Sequence, residues 1–219
     1  MSQQGAFISF EGIDGSGKST QARLLAAHLQ TIGHKAVLTR EPGGSPGAED
    51  IRKLVLEGPP DRWSPETEIL LFTAARRDHL ERTIRPALAA GQIVICDRFA
   101  DSTRMYQGLR GAGLRDKVDR LHDLMIAQEP DLTLLIDMDP AMGLARALGR
   151  QGHEERFEGF GEALQHQMRA GFLALAQAMP TRIRVIDGAR TPEDVASDVA
   201  AIVTRYLASR QHRTEQAQP

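Results

Sequence analysis

The sequence predicts an α/β fold, three layers α/β/α around a five-stranded parallel sheet, and three observations carry that expectation. Five short apolar runs alternate with longer helical patterns along the 219 residues, as parallel strands and their crossover helices do. A glycine-rich segment, Gly12 to Gly17, lies between the first run and the first helical pattern. No internal repeat or linker divides the chain, so residues 1–210 read as one domain.

The expected strands are Ala6 to Glu11, Ala36 to Arg40, Gln92 to Asp97, Leu132 to Asp137 and Arg182 to Asp187, each short and apolar enough to be buried between helical layers. The first helix runs from Lys18 to about Ile32. A second carries Phe72 and Arg76, another starts near Phe99, and one after Met138-Asp139-Pro140 holds Arg146 and Arg150. The last helix is the clearest. Thr191 caps it, Pro192 takes its first turn, and Val195, Val199, Ile202, Val203 and Tyr206 form an apolar stripe to pack on the sheet. Residues 211–219 are polar and aperiodic, and a frayed, disordered tail is expected there.

Apolar residues make up 41% of the chain and charged residues 26%, enough to bury a core and too apolar for a disordered polypeptide. With 27 basic against 29 acidic side chains the net charge is −2, which argues against a protein that binds duplex DNA through counterion release. The single cysteine, Cys96, sits within an apolar run and offers neither a disulfide nor a metal cluster. No stretch reaches the length of a membrane span, and Met1-Ser2-Gln3-Gln4 lacks a signal-peptide pattern. Nucleic acid and membrane are not expected partners, and the cytoplasm is the expected location.

The strongest motif is Gly12-Ile13-Asp14-Gly15-Ser16-Gly17-Lys18-Ser19, which fits GxxxxGK[ST] between a strand and a helix. Glycines let such a loop turn its N–H groups inward around phosphate oxygens. Lys18 adds a mobile cation, the Ser19 hydroxyl can ligate Mg²⁺, and the positive end of the following helix faces the anion. The motif names a nucleoside triphosphate without naming the reaction. Asp97 ends a strand on the same sheet edge, placed for a magnesium-bound water or for capping the next helix, and Arg98 follows it toward a second phosphate.

Arg40 also ends a strand on that edge, where it could meet an anion or form a surface ion pair. Phe72 and Arg76 are four apart, so a ring could stack on a pyrimidine while guanidinium donors meet its carbonyl; an aromatic on a helix serves a core equally well. On a helix beginning near Phe99, Ser102 and Tyr106 share one face, with Thr103 and Gln107 beside it, giving donors and acceptors for a base edge and a sugar.

Taken together, these segments resemble the bacterial thymidylate kinases, members of the P-loop nucleoside monophosphate kinases, from about Ala6 to Leu207. The resemblance rests on Phe10-Glu11-Gly12-Ile13-Asp14-Gly15, Thr39-Arg40-Glu41-Pro42-Gly43-Gly44, Leu71-Phe72-Thr73-Ala74-Ala75-Arg76, Asp97-Arg98-Phe99, Ser102-Thr103-Arg104-Met105-Tyr106-Gln107-Gly108 and Arg156-Phe157-Glu158. It implies transfer of a phosphoryl group from MgATP to dTMP, giving dTDP and ADP, with the phosphate loop from Gly12 to Thr20 holding ATP. It also implies that Arg40 binds the dTMP phosphate, that Phe72 and Arg76 recognise thymine, that Gln107, Ser102 and Thr103 lie near the base, that Tyr106 sits against the deoxyribose, and that Asp14 meets the 3′-hydroxyl. Met105 stands where relatives usually carry a small residue. A homodimer is implied as well.

Gln151-Gly152-His153-Glu154-Glu155-Arg156 follows the helix of Arg146 and Arg150, and the stretch of about 146–158 is expected to form a helical lid. Some relatives place a catalytic arginine in the phosphate loop; here Gly15-Ser16 occupies that place and the arginines lie in the lid. Arg150 and Arg156 are the candidates for stabilising the transferred phosphoryl, together with Lys18 and Arg98, and Arg146 for stacking near adenine. The competing expectations are a kinase of another nucleoside monophosphate or of a deoxynucleoside, and an ATP-driven switch with no small acceptor.

Overall fold

The computed structural model describes residues 5–148 and 161–216. Its strands are β1 (Ala6–Glu11), β2 (Ala36–Arg40), β3 (Ile93–Asp97), β4 (Leu132–Asp137) and β5 (Ile183–Asp187). They form a parallel five-stranded sheet of order β2-β3-β1-β4-β5. Three of the five strands have the expected limits, while β3 and β5 each start one residue late. The reason is local: the Gln92 N–H closes a turn on the Ala87 carbonyl, and the Arg182 N–H does so on Met179.

The described helices are α1 (Lys18–Thr31), α2 (Pro46–Leu56), α3 (Pro65–His79), α4 (Arg85–Ala89), α5 (Ala100–Tyr106), α6 (Leu114–Met125), α7 (Pro140–Leu148), α8 (Gly161–Ala178) and α9 (Pro192–Gln216), with a π-helical turn Leu80–Ile84 joining α3 to α4. The start of α9 is built as its sequence suggests, with Thr191 Oγ1 accepting from the Asp194 N–H at 3.2 Å and Pro192 opening the first turn. The helix runs on to Gln216, past Arg210 where its apolar periodicity ends.

Because side chains alternate across a strand, β1 feeds two cores. Ala6, Ile8 and Phe10 point to one face, where Leu25 and Leu29 of α1 and Val195, Val199 and Val203 of α9 cover them. Phe7 points to the other, packing with Val94, Cys96 and Phe99 beneath Leu80 and Ile84. On that second face Leu135 and Ile183 lie under Met168 and Phe172 of α8 and Met105 of α5. A Cβ at position 171 would stand 2.5 Å from Met105 Sδ, so Gly171 supplies the room for the unusual methionine. Three layers result, and the C-terminal ends of β1, β2 and β3 are left at one edge facing the first turn of α1.

Candidate active site

The phosphate loop follows β1 directly, and its glycines take backbone shapes that side chains resist: φ is +139° at Gly12, +72° at Gly15 and +99° at Gly17. Lys18 folds back over the loop, donating to the Ile13 carbonyl at 2.6 Å. Burial, and then the charge of Arg98, pull the Lys18 ammonium down to about 8, while Asp14, Asp97 and Glu11 oppose the shift. A polyphosphate bound in the loop would raise it again by adding counter-charge. Gly12 and Ile13 line neither of the two clefts that the described residues form beside the loop, and Ile13 is buried in the core behind it.

Arg98 leaves β3 with φ +70°, a conformation a non-glycine residue holds only when its surroundings enforce it. Its N–H donates to the Phe10 carbonyl at 2.9 Å, and Glu11 Oε1 accepts from the next N–H, that of Phe99, at 2.8 Å. The guanidinium then reaches Asp14 Oδ1 at 2.5 Å, Tyr106 Oη at 3.0 Å and Ser102 Oγ at 2.9 Å. Burial alone would raise the Asp14 carboxyl, but Arg98 and then Lys18 outweigh it and hold it below the ordinary carboxylate range. Gln165 of α8 donates to the other Asp14 oxygen at 3.1 Å.

A cleft opens beside the loop. It runs from Lys18, Ser19 and Asp97 to Phe72, Arg76 and Gln107, and all nine residues expected at the acceptor line it: those three pocket residues with Asp14, Arg40, Arg98, Ser102, Thr103 and Tyr106. Not every one has its polar group free for a ligand. The Ser102 hydroxyl donates to Glu11 Oε2 at 2.6 Å while accepting from Arg98, and Thr103 Oγ1 accepts from Arg76 Nη2 at 2.9 Å. Gln107 Nε2 donates to Glu68 at 2.9 Å. Arg40 pairs with Glu49 at 3.0 Å and is half exposed at the cleft.

Asp97 Oδ1 is buried and has no hydrogen-bond partner among the described residues, and Asp97 and Ser19 line the same cleft. An orphaned buried carboxylate oxygen beside a phosphate loop suits a hydrated divalent cation. On the other side of the loop, Gly15, Ser16, Gly17 and Thr20 line a second cleft with Arg146 and Arg190. Arg146 Nη1 donates there to the Gly188 carbonyl at 3.3 Å. Arg150, Arg156 and most of the expected lid lie outside the described residues.

Sequence reasoning missed the buried carboxylates behind the site. Glu11, Glu41 and Glu68 are each nearly inaccessible and hold Ser102, Arg76 and Gln107 in turn. A signal existed for the first: a charged residue ending a strand that is otherwise buried on both faces needs a partner.

A phosphate loop after the central strand of a 2-3-1-4-5 parallel sheet, with a cleft running from its lysine to an aromatic and arginine-lined end, defines a P-loop nucleotide kinase. The family model of thymidylate kinase matches residues 10–199. The chain is 72% identical over 207 residues to the thymidylate kinase of Ruegeria pomeroyi (94% of this chain, 98% of the relative). It is 65% identical over 204 residues to that of Dinoroseobacter shibae (93% and 99%). The crystal structure of thymidylate kinase from Ehrlichia chaffeensis superposes with a TM-score of 0.73 at 36% identity, over 91% of this chain and 98% of that one. This chain belongs to the thymidylate kinase family.

Proposed function

We propose that the protein transfers the γ-phosphoryl group of ATP to the phosphate of dTMP, releasing dTDP and ADP. The observation that carries this reading is the single cleft joining the phosphate loop to Phe72 and Arg76. A triphosphate held at Lys18 and an acceptor phosphate held by Arg40 and Arg98 then lie in one space. No covalent intermediate with the protein is needed, because an acceptor phosphate oxygen is already ionised near neutral pH and positioning supplies the rate.

Within that reaction Lys18 neutralises the transferring phosphoryl, and Arg98, fixed by Asp14 and Tyr106, holds the acceptor phosphate in line. Ser19 and Asp97 would hold Mg²⁺, which when bound with ATP offsets the charge of the β- and γ-oxygens. Phe72 stacks on thymine and Arg76 meets its carbonyl, while Asp14 and Tyr106 face the deoxyribose. Arg146 lies along the adenine, and Arg150 and Arg156 stabilise the phosphoryl in flight. Residues 1–210 act as one domain with its lid near 146–158. The kinase works as a cytoplasmic homodimer; Leu70 on α3 and Leu124 on α6, 58% and 77% exposed, offer apolar surface for the second copy.

A panel of acceptors with labelled ATP tests the reaction: dTMP, dUMP, UMP, dCMP and thymidine under one condition. dTMP is expected to be phosphorylated with the highest kcat/KM. Preference for another acceptor would move the assignment to a different nucleotide kinase. ATP hydrolysis indifferent to every acceptor would instead favour a nucleotide-driven switch.

A further inference from the structure

Arg76 is buried, and two of its three guanidinium nitrogens are occupied by protein. Nε donates to Glu41 Oε2 at 2.7 Å and Nη2 donates to Thr103 Oγ1 at 2.9 Å. The guanidinium carbon also stands 5.0 Å from the centroid of the Phe99 ring. Nη1 has no partner among the described residues, and Arg76 lines the cleft. The fork is thus oriented before any ligand arrives, and among the described residues Glu41 carries the full counter-charge that pairs with it.

Glu41 is itself held. His79, with no exposed surface, places Nδ1 3.1 Å from Glu41 Oε1, and its Nε2 lies 2.7 Å from Thr39 Oγ1. Both ring nitrogens are thereby engaged, one with the carboxylate and the other with the threonine hydroxyl. Gly44 makes this possible: a Cβ there would stand 2.4 Å from both His79 Nε2 and Thr39 Oγ1. The same glycine donates its N–H to Glu49 Oε1 at 2.9 Å, and Glu49 Oε2 pairs with Arg40.

We propose that His79 is a specificity-determining positioning residue, acting through Glu41 to aim Arg76 at the acceptor base. It touches no ligand. Its ring fixes one carboxylate oxygen so that the other faces Arg76 Nε, which leaves Nη1 directed at a carbonyl acceptor on the pyrimidine. Without the ring, Glu41 gains rotational freedom and Arg76 loses its single aim, which weakens binding of a base with a carbonyl and narrows its advantage over a base with an amino group there. The inference rests on the reading of this cleft as the dTMP pocket.

The experiment measures KM for dTMP and for ATP, and the dTMP-to-dCMP ratio of kcat/KM, in four variants. His79→Leu is expected to raise the dTMP KM about tenfold and to lower the ratio, with the ATP KM within about twofold of the parent. His79→Asn, whose amide nitrogen overlays Nδ1, is expected to recover most of the loss. Thr39→Val, which frees the far side of the ring, is expected to shift the dTMP KM in the same direction by about threefold, and it serves where His79→Leu fails to fold. Equal changes in the two KM values, or no rescue by asparagine, overturn the proposal. A raised dTMP KM in Arg76→Ala beside unchanged values in His79→Leu and Thr39→Val overturns this proposal alone, whereas an unchanged dTMP KM in Arg76→Ala overturns the pocket reading as well.

Discussion

The carbonyl oxygen of Gly143 occupies the place where a side chain on Gly15 would begin: a Cβ at Gly15 would stand 1.9 Å from it. α7 therefore rests directly on the phosphate loop, backbone against backbone, and brings Arg146 to the second cleft. The contact is closed to larger residues from either side, since a Cβ at Gly143 would meet the Asp14 carbonyl at 2.7 Å and Ile13 Cδ1 at 3.2 Å. This is a structural reason why the loop carries Gly15 and the arginines lie elsewhere.

Gly143→Ala should consequently push α7 off the loop. Initial rates are expected to show an ATP KM raised and kcat lowered by about tenfold, with a smaller change in the dTMP KM. An unaltered ATP KM would mean that the α7 contact does not matter to the triphosphate.

Lys18→Ala removes the cation that folds over the loop. At saturating ATP, kcat is expected to fall by a factor on the order of 10²–10³, the range for losing one charge-stabilising donor. Near-normal turnover would show that the phosphoryl is neutralised by some other group.

Arg76→Ala should raise the dTMP KM by about ten- to a hundredfold while the ATP KM changes little, because the lost donor faces the acceptor alone. The same change takes the guanidinium away from the buried Glu41 carboxylate, so denaturant melts are expected to show a stability loss of about 3 kcal/mol. Equal effects on both substrates would count against the base pocket.

Glu11 makes stability depend on pH. Burial, and then the charge of Asp101, push its carboxyl up to about 7 from 4.5, against the opposing hydrogen bond from Ser102 and the charge of Arg98. A carboxyl with a raised folded-state pKa binds more protons folded than unfolded, so its contribution to stability falls as pH climbs from about 4.5 through about 7. Urea melts across that window should show the decline, and Glu11→Gln should flatten it. A Gln variant with the parent's pH dependence would assign the slope to other groups.

Much of this architecture is legible in the sequence, for physical reasons that particular residues show. Parallel strands buried on both faces leave continuous apolar runs such as Ile93-Val94-Ile95-Cys96, and the phosphate loop needs glycines at fixed spacing, so both are local signals. Thr191 and Pro192 announce α9 in the same way. The partners behind the site are different. Glu41 reaches Arg76 across 35 positions and Gln107 reaches Glu68 across 39, contacts created only when α3 and α5 close over the sheet. Ser102 illustrates the consequence: its place on α5 suggests a base-edge donor, yet its hydroxyl donates to Glu11, 91 positions earlier. Helix spacing shows which face a side chain shares, and tertiary approach decides what it bonds.

The central claim is that two nucleotides lie face to face across the phosphate loop, and a crystal structure with a dinucleoside oligophosphate joining adenosine to thymidine tests it most directly. The account predicts the oligophosphate along Lys18, the thymine between Phe72 and Arg76 Nη1, and the adenosine beside Arg146. A thymidine half bound anywhere else, with the Phe72 and Arg76 cleft left open, would contradict it.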